Sequence, residues 1–142
     1  MKLKILLLSL LITIPVFANL DKTTNTSEKS KLEYAKSKVT NVIELAEGGD
    51  AESQLKLGMM LTKGVWLKKD KIKAIEWWHK SAVQDNIKAQ LLLGTVYLAG
   101  ERAEKDVEKS DYWFNKAIES DSDMIIVVNK MKSLITEREK KY

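Results

Sequence analysis

His79 is the only imidazole in the chain, and there is no cysteine. A lone histidine works as a general base only where a second group orients it. His79 lies beside Trp78 in a helical stretch, which suits a surface or half-buried structural role. Glu33, Glu44, Glu47 and Glu76 could pair across helices as the acid and base of a glycosidase. Their spacing singles out no two of them, and helices ordinarily carry exposed glutamates. Asp121-Ser122-Asp123 could touch a cation but lacks the loop glycine and distal glutamate of a calcium hand. Without cysteine there is no disulfide and no thiolate metal site, and one histidine excludes a multi-histidine centre. A phosphate loop, a nucleophile elbow and a zinc motif are all missing from the sequence. The expectation is a chain that binds rather than catalyses, without cofactor or metal.

The first residues read as an address. Met1–Lys4 carries two lysines, Ile5–Phe17 is almost wholly apolar, and Val16-Phe17-Ala18 offers small residues where a signal peptidase needs them. This is the layout of a secretory signal peptide over 1–18, cut after Ala18. The apolar run is shorter than the roughly 20 residues a spanning helix needs. Loss of Lys2 and Lys4 from the 24 basic residues leaves 22 against 20 acidic ones, too even a balance for nucleic acid. The expected location is the periplasm or the exterior, with no membrane insertion after cleavage. Residues 19–29 are polar and aperiodic, a flexible leader.

The elements beyond the leader are helical, and they repeat. Gln54, Leu55, Leu57, Gly58, Gly64, Lys69, Asp70, Lys73, Trp77, Lys80 and Asp85 each recur 36 residues on, without a gap. A period in this range marks a solenoid of stacked helical hairpins. The boundaries follow from caps and periodicity: a helix over 30–47 ended by Gly48-Gly49, then a first unit over 51–86 and a second over 87–122. A helix over 123–139 closes the stack, apolar inward and charged outward. Its β-branched run, Ile125–Val128, could instead be a strand. The fold class expected is all-α, an α/α superhelix of antiparallel hairpins with flanking capping helices.

The residues of the two units resemble Sel-1-like repeats, relatives of the tetratricopeptide family. The first unit supplies Ala51, Gln54, Leu57, Gly58, Gly64, Asp70, Lys73, Ala74, Trp77, Lys80 and Ala82. The second supplies Ala89, Gln90, Leu93, Gly94, Tyr97, Gly100, Asp106, Lys109, Trp113, Lys116 and Ala117. The resemblance implies an α/α superhelix acting as a protein-binding scaffold. Gly58 and Gly94 stand mid-helix, where glycine costs about 1 kcal/mol against alanine, so close approach by a partner helix is expected. Trp77 and Trp113 are expected in the core between helix pairs.

The chain departs from the family pattern in its loops. Where the family has a second glycine followed by valine, this chain has Trp66-Leu67 in one unit and Arg102-Ala103 in the other. Trp66 either folds back over Trp78 or Leu61 as a lid, or with Leu67 anchors a partner. Lys63, Lys68, Lys69, Lys71 and Lys73 make the first loop basic, while Glu101, Glu104, Asp106 and Glu108 make the second acidic. Opposite signs on successive units would orient a partner. Lys56, Met59, Met60 and Thr62, then Leu92, Thr95 and Val96, would line the concave face, with the methionines as an adaptable surface. The candidate partner-binding residues are thus Trp66, Leu67, Lys63, Lys68, Lys69, Met59, Met60 and Arg102. The resemblance extends to short exported proteins that serve as immunity proteins. The concrete expectation is therefore an immunity or inhibitor protein that neutralises a toxic effector in the bacterial periplasm. An envelope adaptor is the alternative, and a cell-wall hydrolase a more remote one.

Overall fold

A computed structural model describes residues 26–100 and 103–141. The signal sequence, most of the leader, Glu101 and Arg102 lie outside the described residues. Among those described there are six helices and no strand. They are α1 (Thr26–Glu47), α2 (Ala51–Lys63), α3 (Lys71–Ala82), α4 (Ile87–Ala99), α5 (Val107–Ser120) and α6 (Met124–Glu139). Helices α2 and α3 form one hairpin and α4 and α5 the next, with α1 against α2, α3 against α4, and α6 across α4 and α5. The expected superhelix of antiparallel hairpins is therefore what forms. The first helix starts at Thr26 rather than residue 30. The run Ile125–Val128 is helical, because α6 can then bury Val128 on the end of the stack.

The two hairpins are built by the same local chemistry. The side chains of Asp50, Asp70, Asn86 and Asp106 cap α2 to α5, accepting from the amides of Ser53, Lys73, Ala89 and Lys109 at 2.7–3.1 Å. Such caps contribute about 1 kcal/mol each. Gly64 and Gly100 end α2 and α4 at φ of 71° and 66°, left-handed values that favour glycine. The loops then return to donate from Asp70 N to Leu61 O (3.0 Å) and from Asp106 N to Tyr97 O (2.9 Å).

Within each hairpin a mid-helix glycine receives an aromatic ring. A Cβ on Gly58 would lie 2.4 Å from Trp78 Nε1 and 2.9 Å from Ala74 O, and one on Gly94 would lie 2.6 Å from Phe114 Cδ1. Trp78 and Phe114 are 2% and 0% exposed and occupy matching positions 36 residues apart. This corrects the expectation for Trp77. On α3 the residues at helical spacing that face α2 are Ala74, Trp78, Ser81 and Ala82. Trp77 is displaced to the flank and only half-buried, whereas Trp113 is buried as expected.

Between hairpins the conserved-register glutamines act as clips. Gln54 Nε2 donates to Ala46 O and Gln90 Nε2 to Ala82 O, both at 3.1 Å. The identical bond shows that α1 stands to α2 as α3 stands to α4. Within the first hairpin, Gln84 Nε2 donates to Gln54 Oε1 at 2.8 Å and Ser81 Oγ to Ala51 O at 2.6 Å, tying the end of α3 to the start of α2.

Two surface expectations are corrected by the packing. Val96 is buried in the core cluster with Leu93, Trp78 and Trp113, and Thr95 Oγ1 lies 3.6 Å from Met131 Sδ of α6, so neither lines an open face. The outer side of α6 is also not purely charged, since Ile125, Ile126 and Leu134 are exposed.

Candidate partner-binding groove

A groove of about 510 Å³ opens where α1, α2, α3 and the loop between α2 and α3 meet. Ile43, Leu57, Leu61, Leu67 and Trp77 form its apolar wall, continuous with the small core of Ala46, Leu57, Leu61 and Ala74. Lys68, Lys69, Lys73 and Lys80 stand around it, with Glu47, Asp70 and Glu76. Lys80 Nζ lies 3.9 Å above the Trp77 ring, a cation–π contact that holds the indole at the groove edge.

The equivalent place in the second hairpin is closed. Shifted by 36 residues, Ile43 becomes His79, Leu61 becomes Tyr97 and Trp77 becomes Trp113. His79 Nε2 and Tyr97 Oη are hydrogen-bonded at 2.8 Å, and the imidazole meets Trp113 edge-on at 5.2 Å between centroids. Two larger side chains thus fill in the second unit what two aliphatic ones leave open in the first. Trp113 is buried by that filling, and Trp77 is left half-buried without it.

The charges around the two places differ as well. In the second unit Lys105 pairs with Glu139 (2.6 Å), Lys109 with Asp106 (2.8 Å) and Lys116 with Glu119 (2.9 Å). The Lys109 side chain and amide hold the Asp106 carboxyl below its ordinary range, and Asp106 raises Lys109 in return. Their counterparts in the first unit are Lys69, Lys73 and Lys80. No ion pair of these three, or of Lys63, Lys68 or Lys71, occurs among the described residues. The basic first loop therefore keeps its charge available, and the second spends its lysines internally.

Of the residues singled out in the sequence, Leu67, Lys68 and Lys69 come together in the groove. Leu67 is half-buried against the core cluster, so it is wall rather than protruding anchor. Trp66 is half-buried next to it, and Lys63 is exposed at the end of α2. Met59 is exposed and Met60 half-buried, both outside the groove lining. Sequence reasoning missed Ile43, Leu61 and Trp77 as site residues because it sought positions where the units agree. The signal lay where they disagree in size at one register.

The chemistry-bearing residues resolve differently. Glu47 and Glu76 share the groove, whereas Glu33 is bound to Lys36 (3.0 Å) on α1 and Glu44 is exposed outside the groove lining. Asp121 Oδ1 accepts from Asp123 N at 3.0 Å, a turn contact preceding α6. No cluster of three or more metal-ligating side chains occurs among the described residues. No described helix is long and apolar enough to cross a membrane.

His79 gives the fold a pH dependence. Burial disfavours its imidazolium and the Lys109 ammonium adds repulsion, so its pKa lies below the ordinary 6.5. Above pH 6.5 the imidazole is neutral in both folded and unfolded chains. As pH falls below that value the unfolded chain takes up a proton first, so stability declines until the folded imidazole also protonates. Urea midpoints at about pH 7.5 and about pH 5 should differ more for the native chain than for His79→Gln. Equal differences would place the imidazole in a solvated site.

The model of the Sel1 repeat matches residues 51–86 and 87–122, together just over half of the chain. Two solved structures are similar in fold. One is c5321, a protective antigen present in uropathogenic Escherichia coli strains and displaying an SLR fold. It is 32% identical, with a TM-score of 0.53 over 56% of this chain and 17% of that one. The other is a Sel1 repeat protein from Oxalobacter formigenes, 25% identical, with a TM-score of 0.54 over 57% of this chain and 62% of that one. The aligned regions are thus under two thirds of either neighbour's length. No curated protein matches the chain. Two matched repeats, stacked as hairpins on shared glutamine clips, make this chain a member of the Sel1 repeat family, whose repeats are protein–protein interaction modules.

Proposed function

We propose that this protein is exported to the periplasm and works there by capturing another protein in the groove of its first repeat, without turnover. The observation that carries the reading is the contrast between the units: the same register is filled by His79 and Tyr97 in one and, in the other, left open beside lysines with no ion pair among the described residues. An apolar wall with a charged surround is how a protein interface concentrates affinity at its centre and steers encounter at its rim. The most concrete version is an immunity protein that blocks a toxic effector. The charged first residues, the apolar stretch and the small residues before Asn19 support export. Trp66, Leu67, Lys63, Lys68 and Lys69 then belong to one contact surface, with Met59, Met60 and Arg102 as its outer candidates.

Capture from an envelope extract on the immobilised native chain, with Trp77→Ala and Lys68→Glu/Lys69→Glu as parallel baits, tests this. A protein held by the native chain and lost from both variants is expected, and its co-expression should be toxic without this chain present. A captured protein that every bait retains would move the contact elsewhere. A captured protein that is harmless on export would remove the immunity version and leave an adaptor.

A further inference from the structure

The second repeat indicates what the groove of the first is shaped to hold. There, the place is occupied by an imidazole edge-on to Trp113 and hydrogen-bonded to a phenol. The framework around it is common to both units. Leu57 matches Leu93, Lys73 matches Lys109, and the Gln54 clip to Ala46 matches the Gln90 clip to Ala82. Trp77 therefore offers a ring face or edge at the position where Trp113 receives one. Edge-to-face aromatic pairs add to the burial of their area, so such a place favours a ring over an aliphatic side chain.

The surround sets the rest of the occupant. Lys68, Lys69 and Lys73 are unpaired among the described residues. In the second unit, Lys68 is replaced by Glu104, while the counterparts of Lys69 and Lys73 are neutralised by Glu139 and Asp106. The carboxylates that pair with the second site's lysines come from this chain, whereas Glu47, Asp70 and Glu76 line the first groove without pairing with its lysines, which leaves those lysines open to carboxylates from a partner. Resting on the groove as the partner surface, we infer that the partner presents one aromatic side chain flanked by aspartates or glutamates. The ring packs on Trp77 between Ile43 and Leu61, and the carboxylates reach Lys68 and Lys73.

A displayed library of random heptapeptides, selected on the immobilised full chain, tests the inference. Ile43→His/Leu61→Tyr copies the second repeat's filling into the first. Lys68→Glu/Lys73→Glu reverses the rim on exposed side chains and keeps the test open if the filled variant folds poorly. Selected peptides should carry a central aromatic residue with neighbouring acids, and should bind each variant at least about tenfold more weakly. Groove-dependent peptides without aromatic or acidic residues would overturn this inference and leave the groove as partner surface intact. Peptides indifferent to both variants, or no selected peptide, would overturn both.

Discussion

Trp78→Ala should cost the fold about 4 kcal/mol, whereas Trp77→Ala, one residue away, should cost about 1 kcal/mol. Trp78 is 2% exposed and fills the space over Gly58, so its removal leaves a cavity that the glycine-lined helix cannot close. Trp77 sits half-buried on the groove wall and loses only one packed flank. In a domain of this size the first change should lower the melting temperature by roughly 15 °C and the second by a few degrees. Trp78→Phe is the informative intermediate. Trp78 Nε1 is buried with no hydrogen-bond partner, and the matching position in the second repeat is Phe114. Phenylalanine removes a stranded donor while keeping a ring, so its cost should stay near 1 kcal/mol. Thermal unfolding followed by circular dichroism checks all three. Similar losses for Trp77→Ala and Trp78→Ala would contradict the assignment of one to the core and the other to the groove.

Gly58→Ala should destabilise by about 2 kcal/mol even though alanine is the better helix former by about 1 kcal/mol. The new Cβ would fall 2.4 Å from Trp78 Nε1 and 2.9 Å from the Ala74 carbonyl oxygen, so a backbone as well as a ring must move. Gly94→Ala meets only the Phe114 ring, at 2.6–2.9 Å, and should cost less because no backbone atom stands among those closest contacts. In a Trp78→Leu background the penalty of Gly58→Ala should shrink by more than half, since the nearest obstacle has gone. Urea unfolding of the four chains gives the coupling directly. A stabilising Gly58→Ala in the native background would mean that the helices do not approach as closely as described.

Much of the architecture was legible because it rests on local chemistry that the period repeats. Asp70 and Asp106 announce their caps, and Gly64 and Gly100 mark the recurring loops. Gln54 and Gln90 stood out by recurring, although their clips to Ala46 and Ala82 appear only in the structure. Each signal is read from one residue and its neighbours. The glycines at 58 and 94 were legible as close-approach points, but the rings they receive were not. Trp78 and Phe114 differ, so identity at the 36-residue step favoured Trp77 and Trp113 instead. Helical spacing from Ala74 would have pointed to Trp78.

The groove was only half legible. Leu67, Lys68 and Lys69 stood out as a departure from the repeat pattern, and they do gather at one place. Trp66 could be read as lid or anchor, and half-burial beside the groove suits a residue that does some of each. That the first loop's lysines form no ion pair among the described residues depends on which carboxylates come within reach, and Glu139 of α6 pairs with the second loop's Lys105. Such pairings follow from stacking order. No inspection of the loop sequences alone could have supplied them.

On the proposed reading, two repeats built on one plan serve different ends, the first to bind and the second to seal. Isothermal titration of the captured partner into two charge-reversed chains tests it most directly. Lys69→Glu/Lys73→Glu alters the open unit, and Lys105→Glu/Lys109→Glu alters the same positions of the closed one. The first pair should weaken binding at least about thirtyfold and the second less than about threefold, with both chains folded. Equal losses, or a larger loss from the second pair, would contradict the claim.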